Sequence, residues 1–161
     1  APVAAFMATG TKVAAFGALL RFLWVATPPG REHAYLLPVA ALGILTMLVG
    51  ALGAIRQQNL QRMLAYSSVA HAGYLVLALP GLAERGVAAG VYYLAAYVFM
   101  TAGAFAVVAA LEAAGEAGAL LEGHAGLAAR RPWLAAAQVL FMLGLAGLPP
   151  TGGFVDRRAH V

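Results

Sequence analysis

Lys12 is the residue whose type and place most invite chemistry. It follows Thr9-Gly10-Thr11 near the middle of an apolar run from Val3 to Ala26. An ammonium at the centre of a membrane helix costs roughly 2.5–3.5 kcal/mol on insertion scales, so such groups turn toward a polar interior. A lysine there either takes up and releases a proton, with Thr11 in support, or snorkels or pairs with a partner's carboxylate. His71 is the second candidate, because histidine titrates near neutrality and suits a proton relay. Ser67 lies one turn before it on the same helix face, with Tyr66 and Ser68 nearby. The alternative is a histidine hydrogen-bonded between helices. Tyr97 extends a polar path, whereas Tyr92 and Tyr93 either join it or anchor the helix at an interface. A polar string, Arg56-Gln57-Gln58-Asn59-Leu60-Gln61-Arg62, has two readings. It is a tight exposed loop, or a broken helix lining a water-filled cavity at membrane depth.

The elements that must carry these groups are helices. The chain has 161 residues, 63% of them apolar and only 10% charged, with a mean hydropathy of +0.84. Soluble domains run about 45–50% apolar and about 25% charged, and one core of this size could not hide so much apolar surface. An integral membrane protein follows, and the fold class expected is an all-α membrane helix bundle of about five spans, at least one of them discontinuous. The spans read Val3–Ala26, Tyr35–Ile55, Met63–Leu79, Gly86–Leu111 and Trp133–Leu148, and each needs about 20 residues to cross the hydrocarbon. Glycines recur inside these spans, at Gly43, Gly50, Gly53, Gly90, Gly103, Gly144 and Gly147. In lipid, small residues mark faces where backbones approach closely. A hydrophilic connection occupies 112–131 and reads as a solvated loop.

Several functions are excluded. The net charge is +4, but no basic stripe interleaves with aromatics, so nucleic acid is not a partner. No cleavable signal peptide is expected, because the positive charge lies inside the first apolar run and not before it. There is no cysteine for iron–sulfur clusters or disulfides, no glycine-rich nucleotide fingerprint and no haem-like histidine pairing. Redox catalysis within the chain is therefore not expected.

Three segments resemble one family in the family's own order. Residues 1–16, APVAAFMATGTKVAAF, followed by Leu19-Leu20-Arg21, resemble the seventh transmembrane helix of the antiporter-like subunits of NADH–quinone oxidoreductase (respiratory complex I). Residues 59–74, NLQRMLAYSSVAHAGY, resemble the signature "KRLLAYSSIxHxGY", and residues 147–154, GLPPTGGF, resemble "GLPPTxGF". Among these subunits the chain is most similar to the subunit N type, because Tyr97 stands where the others usually place histidine.

The resemblance implies a subunit of a proton-translocating NADH–quinone oxidoreductase in a bacterial inner (plasma) membrane. It moves protons through Lys12 and His71 and has no redox centre of its own. Thr11, Gln61, Arg62, Ser67 and Tyr97 would support the polar axis. NADH, FMN, iron–sulfur clusters and quinone would act in the rest of the complex, with no cofactor bound by this chain. Its partners would be the neighbouring antiporter-like and small membrane subunits and the lipid bilayer. Two alternatives stay open: a segment of a related Mrp-type cation/proton antiporter, and a non-catalytic assembly scaffold.

Departures from the family pattern matter. Gln61 stands where many members carry a second lysine, and glutamine cannot titrate. The helices expected before the lysine-bearing one, with the glutamate that pairs with it, lie outside the sequence. The antiporter-like segment spans 1–154, and an atypical polar tail, 155–161, replaces an expected apolar half-helix. Arg157 falls where a further lysine is expected, and a permanently charged arginine cannot relay protons. Alone, the chain is not expected to complete a proton path.

Overall fold

A computed structural model describes residues 2–26, 33–78 and 84–147. These form six α-helices: α1 (Pro2–Ala26), α2 (His33–Ile55), α3 (Leu60–Ala78), α4 (Glu84–Ala113), α5 (Leu127–Arg130) and α6 (Pro132–Leu145), with a single 3-10 turn at Glu122–His124. The expected all-α membrane bundle is what forms. Among the described residues three stretches are long and apolar enough to cross a membrane, Val3–Phe22, Leu37–Ile55 and Gly90–Ala113. α3 carries Gln61, Arg62, Ser67, Ser68 and His71 on its 19 residues, and α6 has only 14. Both pack into the same bundle. The outer faces are apolar, with Phe6, Phe22, Leu37 and Leu52 well exposed, as expected of helices bounded by lipid or by further helices.

α1 runs unbroken through Lys12, so the discontinuity expected of at least one span does not fall here. The Thr9 and Thr11 hydroxyls donate to the carbonyls of Ala5 and Met7 one turn back, at 2.7 and 2.5 Å. The residues that could have opened the helix are thus bonded into it.

Close backbone approach organises the pairs. α2 and α3 form a hairpin in which Gly50 lies against the α3 backbone, where an added Cβ would stand 2.4 Å from the Ala70 nitrogen. Gly73 of α3 receives Met47, and Tyr66 lies over Gly53. The α4–α6 pair repeats the device, with Phe141 over Gly103 and Met100 over Gly144. Of the glycines read as packing faces, Gly43, Gly50, Gly53, Gly90, Gly103 and Gly144 meet a neighbouring helix, whereas Gly147 turns the chain at φ 74°.

The polar string resolves as a tight connection. Asn59 caps α3, its Oδ1 accepting from the Arg62 backbone N–H at 3.1 Å. That cap starts α3 at Leu60, so Gln61 and Arg62 fall in its first turn and not before the span. Leu60 N donates to Ala119 O at 2.7 Å and Leu121 N to Gln58 O at 3.1 Å, so the turn is stitched to the 112–131 connection.

That connection, read as a solvated loop, is a folded cap. Gly115 and Gly126 turn the chain at φ 77° and 69°, where L side chains are strained. Leu127 is buried against Val107 and Leu111. Glu116 draws in both arginines, Arg131 Nε at 2.9 Å and Arg130 Nη1 at 3.4 Å.

Two apolar clusters stack along the bundle. Ala8, Leu60, Leu64, Ala104, Phe105 and Val108 form one, toward the end that holds the cap. Phe16, Leu75 and Leu94 form the other. Between them the buried side chains of α3 and α4 are polar: Ser68, Tyr97 and Thr101.

Candidate functional site

Lys12 sits one helical turn from Ala8 and one from Phe16, so the stacking of the clusters places it in the layer between them. Its Nζ donates to Ser68 O, to Ser68 Oγ at 2.7 Å and to Tyr97 Oη at 3.1 Å. An ammonium has three N–H donors, and each finds an acceptor. The same nitrogen lies 4.5 Å from the centre of the Tyr97 ring, within the range where the ring face attracts a cation. Three helices thus converge on one nitrogen: α1 supplies it, α3 a hydroxyl and a carbonyl, and α4 a phenol.

His71 continues the cluster. It follows Ser68 by three residues and so shares its face. Its Nδ1 lies 2.5 Å from Tyr93 Oη, and its ring centre lies 5.0 Å from that of Tyr97 and 6.0 Å from that of Tyr74. Tyr93, Tyr97 and Thr101 fall at successive turns of α4, which is why one face of that helix serves both Lys12 and His71. Tyr97 and Thr101 are buried, at 3% and 1% exposed.

Of the residues singled out in the sequence, Lys12, His71 and Tyr97 come together. Thr11 does not join them: it is exposed on α1 and bonded to Met7. Gln61 and Arg62 lie at the capped end of the bundle, where Gln61 Nε2 donates to Glu112 Oε1 at 2.6 Å. From Ser68 that is two turns of helix, about 10 Å. Ser67 neighbours the cluster, but Ser68 is the serine that reaches Lys12. Tyr93 is a ligand of His71 and not an interfacial anchor, whereas Tyr92 is exposed. The signal for both was present in the spacing: Ser68 is three before His71, and Tyr93 is four before Tyr97. The motif at 147–154, apart from Gly147, and the tail at 155–161 lie outside the described residues.

The site's chemistry follows from what surrounds the nitrogen. Among the described residues the partners of Lys12 are neutral dipoles, and no carboxylate pairs with it. A hydroxyl both accepts and donates, while a carbonyl only accepts. With Lys12 protonated, Ser68 Oγ and Tyr97 Oη accept from it. With the amine neutral, either hydroxyl can turn and donate to its lone pair. The pocket therefore satisfies both protonation states, which a carboxylate partner would not.

The family model for the NADH:quinone oxidoreductase/Mrp antiporter transmembrane region matches residues 1–159. The chain belongs to that family. Among curated relatives it is 49% identical over 156 residues to NADH-quinone oxidoreductase subunit N 1 of Symbiobacterium thermophilum, covering 97% of this chain and 32% of the relative. It is 50% identical over 158 residues to subunit N of Chloroflexus aggregans, with the same shares. It is 47% identical over 163 residues to subunit N of Mycobacterium tuberculosis, covering 98% of this chain and 30% of the relative. The chain spans about a third of the length of the curated relatives it matches. Membership accounts for the apolar helices and for the subunit N likeness inferred from Tyr97.

Proposed function

We propose that this chain contributes the lysine-centred part of the proton path of a subunit N-type membrane subunit of NADH–quinone oxidoreductase, in a bacterial inner membrane. The observation that carries the reading is the Lys12 nitrogen, half-buried at mid-span and held by three neutral acceptors from two other helices. Lys12 is the proton-accepting group, and Ser68 and Tyr97 are the hydroxyls that reorient as it gains and loses its proton. His71, joined through Tyr97 and fixed by Tyr93, is the next titratable group. Electrons run elsewhere in the assembly, through NADH, FMN, iron–sulfur clusters and quinone. The other membrane subunits of the complex are its partners, and changes in the charge or shape they present to Lys12 drive its protonation cycle.

The test is Lys12→Ala in vesicles carrying the complete oxidoreductase with the full-length subunit. Assembly and electron transfer from NADH to an artificial acceptor persist, while NADH-driven proton translocation through this subunit is lost. Unchanged translocation would overturn the role given to Lys12. A second reading, a cation/proton antiporter, is favoured by the family description, which covers Mrp antiporters as well. Sodium-dependent proton exchange without NADH would select it.

A further inference from the structure

Gln138 is the buried polar residue for which neither the fold nor the Lys12 cluster accounts. It lies in the middle of α6, a helix otherwise built from apolar and small residues, and is 7% exposed. Neither its Oε1 nor its Nε2 has a hydrogen-bond partner among the described residues. A buried carboxamide left dry is costly, so such groups are matched by protein or by water. The buried neighbours at this depth of the bundle are Ala104, Phe105, Val107 and Val108, none of which offers a side-chain partner.

Its level in the bundle gives the group a use. Phe141 faces Gly103 and Gly144 faces Met100, so α6 runs antiparallel to α4. This register sets Gln138 level with Ala106 and Val107. That is about one and a half turns, roughly 8 Å, from Thr101 on one side and from Glu112 on the other. Thr101, one turn beyond Tyr97 on α4, has an Oγ1 that likewise lacks a partner among the described residues, and Glu112 with Gln61 marks the capped end of the bundle. Among the described residues the buried polar side chains are Thr9, Ser68, Thr101 and Gln138. Thr9 is bonded to its own helix, which leaves Gln138 alone in the gap.

We propose that the Gln138 carboxamide seats water between the Lys12 cluster and the Gln61–Glu112 end of the bundle, making it a positioning residue for proton movement across the apolar layer. A carboxamide offers two donors and an acceptor with two lone pairs, enough to hold a short water chain that spans each 8 Å gap with two or three molecules. This inference rests on the proton-path reading of Lys12. The proton passes along these waters by exchange of hydrogen bonds, and Gln138 itself neither gains nor loses one.

Two measurements on the complete oxidoreductase test it. Radiolytic hydroxyl-radical labelling reads internal water directly, and Phe105, 1% exposed beside this gap, is oxidised in the parent complex. An unlabelled Phe105 overturns the proposal without any variant. In vesicles, Gln138→Met fills the same space without holding water. It lowers NADH-driven proton translocation roughly tenfold, as loss of one hydrogen bond to a conducting water would, while Gln138→Asn retains most of it. Parent-level translocation in Gln138→Met, or assembly lost in both variants, overturns it, the latter because the carboxamide then bonds another segment. Lys12→Ala measured alongside separates the two claims. If Lys12→Ala is silent and Gln138→Met is normal, only the water seat falls; if Lys12→Ala pumps normally, the proton-path reading falls first.

Discussion

Removing the Lys12 acceptors one at a time tests whether neutral dipoles alone hold the charge. Ser68→Ala deletes the Oγ acceptor at 2.7 Å and leaves the Ser68 carbonyl and Tyr97 in place. A hydrogen bond to a charged donor is worth about 1.5–3 kcal/mol. At about 2 kcal/mol the loss is roughly 30-fold in any step that needs the ammonium. Tyr97→Phe deletes the longer bond, 3.1 Å, yet keeps the ring 4.5 Å from the nitrogen. Its cost is smaller, about 1 kcal/mol, or roughly fivefold. The double variant leaves one backbone acceptor and, because all three bonds meet at one nitrogen, departs from simple addition. The assay is the initial rate of NADH-driven proton uptake by vesicles carrying the complete complex. Each rate is normalised to electron transfer from NADH to an artificial acceptor, which reports assembly. A larger loss in Tyr97→Phe than in Ser68→Ala would refute the ranking. Parent-level rates in the double variant would refute the account of how the charge is held.

Three further outcomes follow from other parts of the molecule. Gly50→Ala drives a Cβ into the Ala70 backbone, whereas a Cβ added at Gly17 meets nothing within 4 Å; overpacking costs about 1–3 kcal/mol, so native gels show assembly loss for Gly50→Ala but not for Gly17→Ala. Tyr93→Phe removes the hydroxyl 2.5 Å from His71 Nδ1 and lowers proton translocation several-fold with assembly retained; an unchanged rate assigns His71 a structural role. Glu116→Gln unties Arg130 and Arg131, which are themselves about half exposed, so the loss is at most about 1 kcal/mol. It appears as faster proteolysis within 112–131 at low salt, and the difference from the parent vanishes at high salt.

The bundle was legible because composition and run length decide it: a chain this apolar with breaks at Pro28-Pro29, Arg56–Arg62, Pro80-Gly81 and 112–131 has few other ways to fold. Lys12 was legible for the same reason, since a lone cation within an apolar run stands out. The partners of Lys12 were not. Which serine reaches it depends on the rotation of α3, and that rotation is set by Tyr66, Ala70 and Gly73 meeting Gly53, Gly50 and Met47 of α2, a matter of tertiary packing. Gln138 does not stand out in the sequence, because one amide in an apolar helix carries no local periodicity. Its meaning appears only when the α4–α6 register is fixed. The polar string misled about the start of α3, since Asn59 caps the helix ahead of Gln61 and Arg62 and makes them helical.

The stacking of layers decides what this arrangement is suited to do. A lysine kept only for structure would be expected to meet a carboxylate or a surface, whereas the partners of Lys12 among the described residues are hydroxyls and a carbonyl between two apolar clusters. Here Ala104, Phe105, Val108 and Leu64 close one side of the polar layer and Phe16, Leu75 and Leu94 the other. The charge is thereby insulated along the bundle axis while remaining solvated by hydroxyls that serve either protonation state. Such a layer conducts only when water crosses one of its apolar walls, and the wall toward the capped end is the one that carries Gln138. A scaffold has no need of that asymmetry, because its Gly-lined faces on α2, α3, α4 and α6 assemble as well with leucine at position 12. Lys12→Leu therefore separates the two roles: a scaffold assembles at the parent level and passes protons unchanged, whereas a proton path assembles and stops.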